Sequence, residues 1–180
     1  EVHVMVTARD VARVLVSAWQ ETVKNDATWT WQEYADAVTD PTRRGQNPAR
    51  GFWLTQDLPG ILAAWSGAIP VERVHVVTVP PSGADPGELL ARACQVVGID
   101  PAVLTESAAR DNTALAAAGT EVVRRLNVLL AHSLNQRQHG HVVKNLVVRE
   151  LAARRAGGSY ALPAELAGWA GEEAARQVAE

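Results

Sequence analysis

Cysteine occurs once in this 180-residue chain, at Cys94, so no disulfide can close within it and a four-cysteine zinc site is excluded. Methionine and phenylalanine also occur once each. Lysine is confined to Lys24 and Lys144, so arginine carries nearly all the positive charge. There is no basic surplus: 17 Lys and Arg stand against 20 Asp and Glu, for a net charge of -3. That balance lacks the basic stripe of a nucleic-acid-binding surface. No apolar run approaches the roughly 18 residues of a membrane span, and no signal peptide opens the chain. Together these absences predict a cytoplasmic protein with neither nucleic acid nor membrane as a partner, and they leave oligomerisation open.

What is present is ordinary for a globular chain, with 47% hydrophobic and 21% charged residues. A core can form at this length without a disulfide or metal staple. Six tryptophans concentrate the aromatic content in the largest ring. The chain opens Glu1-Val2-His3-Val4, with no methionine and directly inside an apolar alternation, which reads as a fragment of a longer protein.

Val2 to Ala8 is a β-branched apolar run and predicts a strand buried on both faces. Asp10 is a suitable N-cap for a helix to about Lys24, carrying Val11, Val14, Leu15, Ala18 and Trp19 at helical spacing. Thr30 and Glu33 stand in capping-box spacing at the start of a short helix to Val38. Asp40 to Arg50 has the turn chemistry of a loop and holds Arg43, Arg44 and Arg50. Phe52 to Ala68 predicts a helix interrupted by Pro59, and Arg73 to Val79 a second buried strand. A helix from Pro86 to Val97 should end on Gly98 as its C′ residue. Leu104 to Gly119 is weakly patterned. Three further helices are predicted, over Glu121 to Leu134, His141 to Arg155, and Pro163 to Glu180. The first of these should bury Val122, Leu126, Leu129 and Leu130, and Glu121–Arg125 and Glu150–Arg154 are in pairing register.

Strands separated by helices imply a parallel sheet covered on both faces. Two strands do not complete such a sheet, so further strands are expected from sequence outside this chain or from a partner.

Ligands in open α/β sheets bind beyond the carboxyl ends of strands, near helix N-termini. Arg9 stands at that position. Ser17 follows the Asp10 cap by two helical turns, so a guanidinium and a hydroxyl can converge on one oxyanion. The alternative is a surface ion pair for Arg9 and a helix contact for Ser17. Trp53, Gln56 and Asp57 share one face of a helix start. With Trp29, Trp31 and the arginine-rich loop they are candidates to line an acceptor cleft, since large rings stack on sugars and planar groups. Alternatively, Trp53 anchors the helix and the polar pair caps it. Trp19 and Trp65 read as core. His139 and His141 lack a third ligand, so no metal is expected. His3 and His75 read as core or edge histidines, and Cys94 as a small buried hydrophobe.

Val4 to Ser17 (VMVTARDVARVLVS) resembles the 3′-phosphate-binding segment of P-loop sulfotransferases: a buried strand, an arginine, and a serine eight positions later on the following helix. Glu72 to Gly98 (ERVHVVTVPPSGADPGELLARACQVVG) resembles that family's later strand, turn and helix. ARD followed by AWQETVKN, and FWLTQDLPGIL further on, look like an actinobacterial branch of sulfotransferase-like proteins. The resemblance spans Val2 to Pro101, more weakly Glu121 to Asn127. It implies an α/β fold, a three-layer P-loop-type parallel sheet flanked by helices. Residues 1–180 would form one incomplete domain, mostly helical over 104–180. It further implies transfer of a sulfonate group from 3′-phosphoadenosine-5′-phosphosulfate to a hydroxyl or amine of a small-molecule acceptor, with Arg9 and Ser17 holding the cofactor's 3′-phosphate.

The departures are specific. Nothing matches GxxxxGK[ST]. The relatives' catalytic histidine or glutamate precedes the segment that starts this chain, so no catalytic residue is assigned. Thr78-Val79-Pro80 replaces the Tyr-Glu-Asp that often follows the second strand, and Gly157-Gly158 is a poor substitute for an Arg-Lys-Gly cofactor loop. Two further readings stand beside this one: a non-catalytic sulfotransferase-like binding or scaffolding module, and another P-loop transferase such as a small-molecule kinase.

Overall fold

The computed structural model describes residues 1–104, 115–131, 133–154, 158 and 160–180. Strand β1 (Val4–Ala8) leads into helix α1 (Val11–Lys24). The Asp10 carboxylate caps α1 by accepting from the Arg13 amide at 3.1 Å. Helix α2 (Trp31–Thr39) starts on the expected capping box, with Thr30 and Glu33 satisfying each other's backbone N–H groups. The predicted loop is shorter than its composition implies. A 3₁₀ turn occupies Pro41–Arg43, and helix α3 (Ala49–Gln56) begins just after Pro48. The helix expected over 52–68 is two, because α4 (Leu58–Ser66) restarts after Asp57 with Pro59 in its first turn.

Strand β2 (Val74–Thr78) pairs in parallel with β1, Val4 opposite Val74 through Ala8 opposite Thr78. Helix α5 (Glu88–Val97) follows and ends on Gly98, whose φ of 69° is the left-handed conformation a C′ glycine adopts. Next come α6 (Ala117–Leu130) and α7 (Gln136–His139), a π-helical stretch at Gly140–Val147, then α8 (Val148–Arg154) and α9 (Ala164–Ala179).

The three-layer sheet is not what forms. The described residues are mostly helical and carry a single two-stranded sheet, with neither outer edge paired. Nor are the strands buried on both faces: in β2 only Val77 is buried, while Val76 is exposed. The reason lies in where the large side chains meet. Leu15, Trp19 and Val23 of α1 pack with Tyr34 and Val38 of α2, with Phe52 and Trp53 of α3, and with Val123, Val143 and Val148 further on. Helix on helix is therefore the core, and the sheet is a ledge at its side, with α4 and α5 packed against β2.

Two helix-face predictions are corrected. Helix α6 buries Thr120, Val123 and Asn127, whereas Val122 and Leu129 face solvent. Trp65 of α4 is 45% exposed rather than core. The predicted Glu121–Arg125 and Glu150–Arg154 pairs are present, at 2.7 and 3.9 Å. No helix among the described residues is long and apolar enough to cross a membrane.

Candidate functional site

At the carboxyl end of the sheet, the Val79 amide donates to the Ala8 carbonyl at 2.7 Å, so the two strand exits stay side by side. Three guanidinium groups gather there. Arg13, in the first turn of α1, donates to the Pro80 carbonyl at 2.9 Å and braces the turn after β2. Arg92 of α5 reaches back to the Thr78 carbonyl at 2.7 Å and pairs with Glu88. Arg9 alone of the three makes no ion pair or hydrogen bond among the described residues. Partial desolvation, then the like charge of Arg13, lowers its pKa, with Asp10 opposing. It still stays protonated at any physiological pH. A cation held beside another cation is stabilised by an arriving anion.

Ser17 lies about 10 Å along α1 from its cap, at a rise of roughly 1.5 Å per residue. Its hydroxyl donates to the Arg13 and Val14 carbonyls, at 3.0 and 3.1 Å. Those carbonyls belong to the helix ladder, so the hydroxyl can turn outward without orphaning them. Arg9 therefore has its charge free of partners among the described residues, with Arg13 adding to it, and Ser17 could add a donor only after rotation.

The proposed acceptor residues separate. Gln56 lines a small cavity of about 30 Å³ together with Arg9 and Thr7 of the strand exit, and Gln177 of α9. Its backbone carbonyl accepts from the Gln177 amide at 3.0 Å. Trp53 is buried, donates through Nε1 to the Val38 carbonyl at 3.2 Å, and carries the Arg44 guanidinium 3.9 Å above its ring. Asp57 lies between α3 and α4, 3.6 Å from Arg176. A β-carbon at Gly60 would sit 2.6 Å from the Asp57 Oδ2, so glycine is needed for the carboxylate to lie over that turn.

Arg44 and Arg176 converge on Glu173 of α9, at 3.6 and 2.7 Å. Burial disfavours the Glu173 charge, but hydrogen bonds from Arg176 and Gln177 outweigh it and hold the carboxyl below its ordinary pKa. Trp53 and Asp57 thus belong to a network that fastens α9 across α3. Trp29 is partly exposed, and Trp31 packs edge-on against Trp19.

Sequence reasoning passed over a larger space. A groove of about 740 Å³ runs between α1 and α3, with Tyr34 of α2 at its base. Glu21, Thr22 and Asn25 supply one wall, Phe52, Thr55 and Gln56 the other, and Asp26 stands at its end. The signal was available in part, since Glu21 and Thr22 on the last turn of α1 stand one turn before its C-cap Asn25. That Tyr34 would lie beneath them depends on how α2 packs.

The histidines resolve differently from one another. The His3 Nδ1 and His75 Nε2 share a hydrogen bond at 3.0 Å, their rings stacked. His139 is buried on Asn127 and His141 is exposed, so they do not share a face. No group of three or more metal-ligating side chains occurs among the described residues. Comparison of the chain with protein families, with curated proteins and with solved structures finds no match.

Proposed function

We propose that this protein binds the 3′-phosphate of 3′-phosphoadenosine-5′-phosphosulfate at the carboxyl end of its sheet and takes part in sulfonate transfer to a hydroxyl or amine of a small-molecule acceptor. The observation that carries the reading is the Arg9 guanidinium, unpaired among the described residues, beside Arg13, where the parallel strand hands over to α1. The resemblance of Val4 to Ser17 to a 3′-phosphate-binding segment supports the same ligand. The cofactor, when bound, supplies the activated sulfonate. The chain's own contribution is to orient it: Arg9 grips two phosphate oxygens in a planar fork, Arg13 raises the local positive potential, and Ser17 turns to donate. Gln56, which lines the small cavity with Arg9, is the candidate on the acceptor side.

Calorimetric titration with 3′-phosphoadenosine-5′-phosphate, set against ATP with magnesium, tests this. Arg9→Ala is expected to cost about 1.5–3 kcal/mol of affinity, the range for a hydrogen bond to a charged group. A preference for ATP, or an affinity unmoved by Arg9→Ala, overturns the proposal.

A further inference from the structure

The groove between α1 and α3 has features that anion binding at Arg9 does not use. Tyr34, at its base, is 1% exposed. Burial raises its phenol pKa, so the group is a neutral donor and acceptor. Its hydroxyl bonds to none of the described residues. Yet no side-chain oxygen among them is both sealed from solvent and unpartnered. Tyr34 lines the groove, and its hydroxyl is the one polar group it can offer there.

The charges around the groove cancel. Glu21 is spanned by Lys24 at 2.6 Å and Lys144 at 3.1 Å. Lys144 also donates to the Asn25 Oδ1 at 2.8 Å. Asp26 supplies the second carboxylate, in the left-handed region with φ 83°. Its nearest cationic candidate is His139, whose Nε2 lies 3.4 Å away. That nitrogen already donates to Asn127 Oδ1 at 3.0 Å, because the Asn127 amide nitrogen is itself a donor to the Val23 and Ala27 carbonyls. Two lysines against two carboxylates leave no net charge to select an ion.

What the walls still offer is hydrogen bonding of both senses. The Tyr34 hydroxyl gives and takes. Gln56 keeps its Oε1 and one amide hydrogen, since its Nε2 donates once, to the Thr55 hydroxyl. Thr22 donates to the Trp19 carbonyl and keeps its lone pairs, and the Asp26 carboxylate accepts. Acceptors outnumber donors, and Ala18, Ala27 and the edge of the buried Phe52 complete the lining with apolar atoms. Hydroxyl groups, which donate and accept at once, complement such a lining, and the volume lies within the range of small-molecule sites.

We infer that this groove binds a neutral, hydroxyl-bearing small molecule with a flat apolar part, hydrogen-bonded by Tyr34 and Gln56. The inference stands apart from the sulfonate reading, since it needs neither cofactor nor turnover.

Phenyl β-D-glucoside is a suitable probe, with phenylacetate and phenethylammonium as anionic and cationic aromatic controls. Binding is followed by amide NMR shifts at Thr22, Ala27 and Thr55 of the full chain. Saturable binding of the glucoside is expected with a Kd on the order of 0.1–1 mM for a ligand of this size, with neither control matching it. Tyr34→Phe keeps the ring and the packing, and should weaken binding roughly three- to tenfold, as for one neutral hydrogen bond. Gln56→Ala, on a partly buried residue, should weaken it similarly. No saturable shift at these sites, equal binding of a charged control, or unchanged binding in both variants refutes the inference. Because Arg9 is untouched, failure here leaves the titration with 3′-phosphoadenosine-5′-phosphate to be judged separately.

Discussion

Asn127 offers a quantitative test of how the helices are held together. It is fully buried on α6. Its amide nitrogen donates to the Val23 and Ala27 carbonyls at 2.7 and 2.9 Å, and its oxygen accepts from His139 at 3.0 Å. One side chain thus joins α6, the end of α1 and the end of α7. In Asn127→Ala three bonds disappear, each contributing about 1 kcal/mol net. The loss is not multiplied further: the Val23 carbonyl still accepts from the Asp26 amide at 3.3 Å, and His139 still has Asp26 at 3.4 Å. The expected cost is therefore about 3 kcal/mol. Against a total stability of roughly 5–15 kcal/mol that is a large share, and it corresponds to a fall in Tm of about 6–12 °C at this chain length.

Asn127→Asp separates hydrogen bonding from packing. It keeps the size and the acceptor for His139 but turns a donor into a carboxylate facing two carbonyls. It should cost more than the alanine variant at neutral pH. Urea unfolding followed by tryptophan fluorescence measures both, with Trp19 in the same core reporting directly. A loss below about 1 kcal/mol for Asn127→Ala, or an aspartate variant no worse than the alanine one, would show that the network contributes nothing beyond its volume. Since Asn127 also holds Ala27 at the end of the groove, the alanine variant should weaken probe binding as well.

Two further outcomes follow from the ion pairs. Hydrogen bonds from Arg124, joined by Arg125, hold the Glu121 carboxyl down at about 2 against 4.5 in the unfolded chain. A depressed folded pKa contributes stability that is fully present above about pH 4.5 and is lost as pH falls toward about 2. Glu121 is more than a third exposed, so the contribution is screened to about 1 kcal/mol or less. Melting of wild type and Glu121→Gln should differ at neutral pH and converge near pH 2; a constant gap argues against the linkage. At Trp53, replacement by Phe removes the Nε1 hydrogen bond to Val38 and weakens the Arg44 contact, at a cost of about 1–2 kcal/mol. A double-mutant cycle with Arg44→Ala should give a coupling of about 0.5–1 kcal/mol, and zero coupling would remove Arg44 from the clamp.

Local chemistry was legible wherever it acts within a few residues. The Asp10 cap, the Thr30–Glu33 capping box, the break at Pro59, the Gly98 terminus and the two i,i+4 pairs all lie where spacing placed them, because each depends on neighbours one turn away. Faces were less legible when they were polar. On α6, Thr120 and Asn127 are buried because Gln20, Val23, Ala27 and His139 satisfy them. A count of apolar residues selects Val122 and Leu129 instead. Glu173 escaped notice for a related reason: Arg176 lies one turn away on α9, but Arg44, which completes its pairing, comes from a distant part of the chain.

The sheet shows the larger division. Sequence alone determined that two β-branched runs form strands, and that the helices between them make the pairing parallel, since such strands need a crossover connection. It also determined that Arg9 leaves the first strand just before a capped helix. Only the tertiary structure decided that the core lies between helices, with the strands at its side. Only that packing put Gln56 next to Arg9, turned Trp53 inward beneath Arg44, and set Tyr34 against a groove. The reason is the range of the forces involved. Capping and pairing act across one turn, whereas burial is decided by which apolar faces meet, and partners distant in sequence determine that.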